Sequence, residues 1–154
     1  MLKSIEKNKK ITIVGAGLAG SEAAWQLANR GVEVTLYEMR PNKLTPAHKS
    51  GKPAELVCSN SFKSIDLTSA SGNLKQELKA LGSLILEAAE HTKVPAGQAL
   101  AVDRELFSEF VEKKLAEHSN IQIQNKEIQT IPSLQELEAY FYWLFFLLFL
   151  FCLM

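Results

Sequence analysis

Three groups of side chains in this sequence are candidates for binding or reactivity. The first is Gly15-Ala16-Gly17-Leu18-Ala19-Gly20, followed about 20 residues later by a carboxylate, Glu38. Glycines at these intervals let a backbone turn tightly and approach a pyrophosphate with no Cβ in the way. An acid at that distance can accept hydrogen bonds from ribose hydroxyls, and it disfavours a 2′-phosphate. The second group is Glu55-Leu56-Val57-Cys58-Ser59-Asn60-Ser61-Phe62. A cysteine beside serine and asparagine is a nucleophile if its thiolate is stabilised, and otherwise a structural thiol; spacing alone leaves both readings open. The third is a basic stretch, Arg40, Lys43, Lys49, Lys52 and Lys63, opposed only by Glu55. It could meet the phosphates of a cofactor or of RNA, or be a solvated loop. His48, in the same stretch, reads as a general base or as an exposed loop histidine. The two cysteines, Cys58 and Cys152, show no CxxC or Cys/His spacing, so neither a disulfide framework nor a metal site is expected.

The glycines need an element on each side. Ile11-Thr12-Ile13-Val14 is a short β-branched run that reads as a buried parallel strand. Ser21–Arg30 reads as a helix with Ala24, Leu27 and Ala28 on one face, and Gly31 as its stop. Val32–Glu38 alternates as a strand and delivers Glu38 at its end. Such a helix would offer its free N–H groups and the positive end of its dipole to the phosphates. Strand, glycines, helix, stop and terminal acid in this order predict a dinucleotide-binding β-α-β unit. FAD and NAD both present pyrophosphate and ribose, so these residues do not separate them.

Met39–Ser64, with Pro41, Pro46 and Pro53, reads as a long loop, and loops of this length inside a compact domain are functional or disordered. Asn73–His91 carries Leu74, Leu78, Leu81, Ile85 and Ala88 at helical spacing, which predicts one helix with Gly82 inside it, permitting close packing. Val94–Gly97 predicts a turn and Ala99–Val102 a short strand. Asp103 is a suitable N-cap for a helix over Arg104–Glu117, whose apolar face is Leu106, Phe107, Phe110, Val111 and Leu115. Ile121–Ile123 and Glu127–Ile131 read as strands about a turn at Asn125-Lys126. In a doubly wound sheet the first of these returns parallel, near the cofactor.

The chain's 154 residues suit one ordinary domain; 47% are hydrophobic and 22% charged, as in globular proteins. Lysine plus arginine equals aspartate plus glutamate at 17 each, a balance that argues neither for nor against an RNA partner. MLKSIEKNKK lacks the apolar core of a signal peptide, so a cytoplasmic, reducing compartment and a free Cys58 thiol are expected. Residues 139–154, AYFYWLFFLLFLFCLM, change character abruptly. They fall short of the ~20 residues of a spanning helix and lack flanking basic residues, so no membrane partner is expected. Their residues share U-rich codons, which points to a frameshift or truncation product; a core segment of a cut-short domain and a membrane element are the alternatives.

The blocks ITIVGAGLAGSEAAWQLANRGVEVTLYEMRP, TPAH, ELVCSNSFKS, LKQELKALGSLILEAAE and VPAGQALAVDRELF, in that order, resemble one family. It is the bacterial folate- and FAD-dependent tRNA uracil-5 methyltransferases, relatives of the glucose-inhibited-division flavoproteins. The likeness covers roughly residues 8–132. It implies FAD as cofactor, 5,10-methylenetetrahydrofolate and NADPH or NADH as co-substrates, and uracil C5 in the tRNA T loop as the methylated atom. It places Gly15, Ala16, Gly17, Leu18, Ala19, Gly20, Glu38 and Arg40 at the cofactor and Cys58 at the family's catalytic cysteine. Attack at C6, proton movement and protection of an adduct all remain open for Cys58. Family members are much longer, so this chain is expected to be inactive alone. The alternatives are a flavoprotein akin to the wobble-uridine enzymes and a non-catalytic cofactor-binding remnant. The fold expected is α/β: an incomplete FAD-binding Rossmann-like βαβ domain over residues 1–138, with an apolar tail over 139–154. Oligomeric state is not legible.

Overall fold

A computed structural model describes residues 10–130. The apolar tail, Cys152 and Ile131 lie outside the described residues. The first sheet is built from β1 (Lys10–Val14), β2 (Glu33–Glu38) and β6 (Ile121–Asn125), in the order β1-β2-β6. All pairs are parallel, with Ile13 opposite Leu36 and Leu36 opposite Ile123. The parallel return of residues 121–123 is therefore as the sequence predicts. Parallel strands need a crossover, and α1 (Leu18–Ala28) supplies it between β1 and β2. The helix starts three residues before the expected Ser21, so Gly20 sits within its first turn. Gly31 takes φ +81° where the chain leaves the helix for β2.

A second, antiparallel sheet runs β3 (Ser61–Ser64), β5 (Ala99–Val102), β4 (Lys93–Val94). Strand β3 lies in the stretch read from sequence as loop. It has four residues and an irregular register, with Ser61 opposite Ala101 and Ser64 opposite Ala99, too short to show alternation. The single helix expected over 73–91 is two, α2 (Ala70–Ala80) and α3 (Leu84–His91). Gly82 divides them at φ +71° with open space around its Cα, so it ends a helix and does not serve close packing. Ser83 then caps α3 by accepting from the N–H of Leu86. Leu81, at the break, is 62% exposed.

Helix α4 (Arg104–Glu117) starts as expected: the Asp103 carboxylate accepts from the N–H groups of Glu105 and Leu106. Phe107, Val111 and Leu115 are fully buried, but Leu106 is 54% exposed and does not belong to the apolar face. These side chains share a core with Ala24 and Ala28 of α1, Leu84 and Ala88 of α3, and Val34 and Leu36 of β2. Residues 127–130 form no strand. Glu127 instead pairs with Lys43, which ties the end of β6 to the loop after β2. No helix among the described residues is long and apolar enough to cross a membrane.

Candidate functional site

The glycine turn leaves β1 at the edge of a cleft of about 300 Å³, lined by Val14, Gly15, Gly17, Tyr37, Glu38, Met39, Arg40, His48, Lys126, Glu127 and Ile128. Its glycines do different jobs. Gly15 takes φ +96°, which favours glycine, and its N–H reaches the carbonyl of Tyr37 at 2.7 Å. A Cβ on Gly15 or Gly17 would meet nothing within 4 Å, so the missing side chains leave the cleft floor open. A Cβ on Gly20 would lie 1.8 Å from the Gly15 carbonyl oxygen, so Gly20 is what lets α1 seat against the turn. Gly17 is the N-cap of α1 and offers no side-chain acceptor, and the first turn carries no acid. The first amides of α1 and the positive end of its dipole are therefore left for an anion.

Glu38 closes the cleft from the end of β2. It is 7% exposed. Its Oε2 accepts from the N–H of Ala16 at 2.7 Å, so the acid grips the glycine turn directly. Arg40, 2% exposed, supplies the counter-charge. Its Nε and backbone N–H donate to Oε1 of Glu38 at 2.9 and 3.1 Å, and its Nη2 to Oε2 at 3.2 Å. Burial pulls the Glu38 carboxyl upward, but the hydrogen bonds from Arg40 and Ala16 outweigh it and hold the group below the usual glutamate range. The third guanidinium nitrogen, Nη1, reaches Glu55 Oε2 at 3.3 Å.

Glu55 is a member that sequence reasoning missed. In the sequence it is the lone acid of a basic stretch and the first residue of the block that carries Cys58, with nothing to pair it with Arg40. In the structure it accepts from the N–H of Lys49 (2.8 Å), and from the N–H (3.1 Å) and Oγ (3.0 Å) of Ser50. Desolvation raises its carboxyl; the amides of Lys49 and Ser50 outweigh that and hold it low. One residue earlier, the N–H of Ala54 reaches the carbonyl of Ala16 at 2.7 Å. The loop after β2 thus folds back on the glycine turn.

The basic stretch is largely spent internally: Arg40 on Glu38 and Glu55, Lys43 on Glu127, and Lys52 on Glu109 at 2.6 Å. His48 lines the cleft with Nδ1 2.6 Å from Thr45 Oγ1. Lys126, just past β6, lines it too. Only the return of a distant strand could reveal Lys126 as a neighbour. Cys58 is a free, exposed thiol on the segment before β3; its carbonyl accepts from Arg104 Nη2 at 3.3 Å. It is not among the residues lining the cleft. The structure therefore brings together the glycines, Glu38 and Arg40, and sets Cys58 on the adjoining segment. A hollow of about 410 Å³ against α2 and α3 contains none of these residues. No cluster of metal-ligating side chains occurs among the described residues.

A cleft of about 300 Å³ sits at the low end for ligand sites, roughly 300–1,000 Å³, and its uncapped helix start could receive an anion. Comparison with known proteins agrees with the likeness read from the sequence blocks. The family described as glucose inhibited division protein A matches residues 10–139. The methylenetetrahydrofolate–tRNA-(uracil-5-)-methyltransferase TrmFO of Lactobacillus delbrueckii subsp. bulgaricus is 58% identical over 125 residues, covering 81% of this chain and 28% of that protein. The proteins of the same name from Aquifex aeolicus and Enterococcus faecalis are 55% and 60% identical over 124 residues, each covering 80% of this chain and 28% of the relative. The chain thus spans under a third of the length of these relatives. Among solved structures, Aquifex aeolicus GidA superposes with a TM-score of 0.64 at 18% identity, over 84% of this chain and 21% of that one. The p-nitrophenol 4-monooxygenase PnpA of Pseudomonas putida gives 0.54 at 15%, over 82% and 35%. At such identities these two show the shared fold.

Proposed function

The chain belongs to the glucose inhibited division protein A family, and on that premise we propose that it is the dinucleotide-binding part of a folate- and FAD-dependent tRNA uracil-5 methyltransferase. The observation that carries this reading is the Ala16–Glu38 hydrogen bond at 2.7 Å. It joins an open glycine turn and an uncapped helix to a carboxylate held ionised beside them. The identity of 55–60% with proteins named for this reaction supports the substrate class. In this reading Gly15 and Gly17 keep the cleft clear for the pyrophosphate of FAD, and the first amides of α1 bind it. Glu38 faces the adenosine ribose, and Lys126 and His48 flank the entrance. When bound, FAD supplies redox chemistry to a one-carbon unit from 5,10-methylenetetrahydrofolate, with NADPH or NADH as reductant. Cys58 is the reactive thiol, placed on an exposed segment that a tRNA T loop could reach. Uracil C5 is a poor nucleophile until a thiolate adds at C6, which gives such a thiol its use. A cytoplasmic location is part of the same proposal.

The test is a chimera in which residues 10–130 replace the matching segment of the Lactobacillus relative. With T-loop RNA, methylenetetrahydrofolate and NADPH, it is expected to form 5-methyluridine. Cys58→Ser in that chimera is expected to cut the rate at least 100-fold while leaving flavin absorbance intact. A folded chimera that takes up no FAD, or a Cys58→Ser variant with full activity, would sink the corresponding half of the proposal.

A further inference from the structure

The carboxylate of Glu38 has roughly four acceptor positions, and the protein itself uses all of them. Oε1 takes the backbone N–H and Nε of Arg40; Oε2 takes the N–H of Ala16 and Nη2 of Arg40. A ribose hydroxyl can therefore reach Glu38 only by displacing or sharing a donor. The longest of the four contacts, Nη2 of Arg40 at 3.2 Å, is the one to give way. A guanidinium released on that side has a second carboxylate already in reach, Glu55, now at 3.3 Å from Nη1. Glu55 in turn holds the N–H groups of Lys49 and Ser50, and the neighbouring Ala54 is bonded to Ala16. Cys58 follows three residues after Glu55.

We propose that Arg40 and Glu55 are positioning residues that couple nucleotide binding at Glu38 to the ordering of the segment that bears Cys58. Arg40 is then not a cofactor contact. It is a buried fork, shared between two acids, that shifts toward Glu55 as the ribose takes its place on Glu38. The planar guanidinium can serve two carboxylates at once, which a lysine ammonium does less well. The cofactor would in this way tighten the loop that presents the thiol, and an empty site would leave it looser.

This inference rests on the nucleotide reading above, and the experiment separates the two. Amide hydrogen exchange is followed in the 154-residue chain with and without ADP, which carries adenosine and pyrophosphate but no flavin ring to shield the loop. Binding is expected to slow exchange at residues 15–21 and, through Arg40 and Glu55, at least fivefold at residues 49–58. In Glu55→Gln, ADP is expected to protect 15–21 still, but to lose its effect on 49–58. Protection of 15–21 with no change at 49–58 in the unaltered chain overturns the coupling without needing any variant to fold. Full protection of 49–58 in Glu55→Gln overturns it as well, by showing direct contact or another route. ADP that protects neither segment and does not bind overturns the nucleotide reading, and the coupling falls with it.

Discussion

Gly17 and Gly20 are both glycine, yet the space around them assigns them opposite tasks. A Cβ at Gly17 enters open cleft, and its φ of −71° is allowed to any residue. A Cβ at Gly20 collides with the Gly15 carbonyl at 1.8 Å. Gly17→Ala is therefore expected to change stability by under about 1 kcal/mol, the loss of a tolerated N-cap offsetting a stiffer unfolded chain. On the proposed reading it is expected to weaken FAD at least 10-fold, because the methyl group would enter the space assigned there to the pyrophosphate. Gly20→Ala is expected to cost about 1–3 kcal/mol or more, as overpacking does. Urea denaturation and flavin titration of the two variants check this; equal effects on both readouts would refute the division of labour. At the same scale, Glu38 was legible from its distance to the glycines. Its grip on Ala16 was not, since spacing says nothing of which atom a carboxylate faces.

Elements show where periodicity misleads. Leu74, Leu78, Leu81, Ile85 and Ala88 keep helical spacing across a break, because both short helices turn apolar residues toward the same core. Leu74 and Leu78 pack against that core and Ile85 and Ala88 are inside it, while Leu81 turns out to solvent with the bend. The break needs a residue comfortable at φ +71°, and Gly82 supplies it. Gly82→Ala is expected to cost about 1–2 kcal/mol, the penalty of a side chain in the left-handed region. A continuous helix would predict the reverse, a gain of up to about 1 kcal/mol. Chemical denaturation distinguishes the two by sign. The same bend matters to the β-α-β unit: Ser83 Oγ and the N–H of Ile85 both donate to Glu22 of α1, and Trp25 and Gln26 donate to the carbonyl of Gly82.

For the molecule as a whole, two carboxylates that fold ionised hold the loop after β2 through Arg40: Glu38 at the end of the strand and Glu55 within the loop. Glu38 and Glu55 are both held below the usual glutamate range, against burial, by amides and, for Glu38, by Arg40. A depressed folded value gives stability that is present above the unfolded value, about 4.3, and is lost as pH falls through the folded one. The urea midpoint is therefore expected to change little from pH 7 to 5 and to drop below about pH 4. Glu55→Gln is expected to make that drop shallower. A midpoint that rises toward pH 3 would contradict the assignment. The β-α-β unit, the glycine turn, the terminal acid and the caps at Gly31 and Asp103 are legible along the chain, because each depends on residues close together in it and on backbone geometry that few side chains permit. It takes the folded arrangement to share Arg40 between Glu38 and Glu55, to bond Ala54 to Ala16, to bring Lys126 to the cleft, and to pair 61–64 with 99–101 as a strand. Apart from the Arg40–Glu38 pair, those contacts join residues 15 to more than 100 positions apart, and their partners are chosen by how the layers pack, which no local spacing encodes.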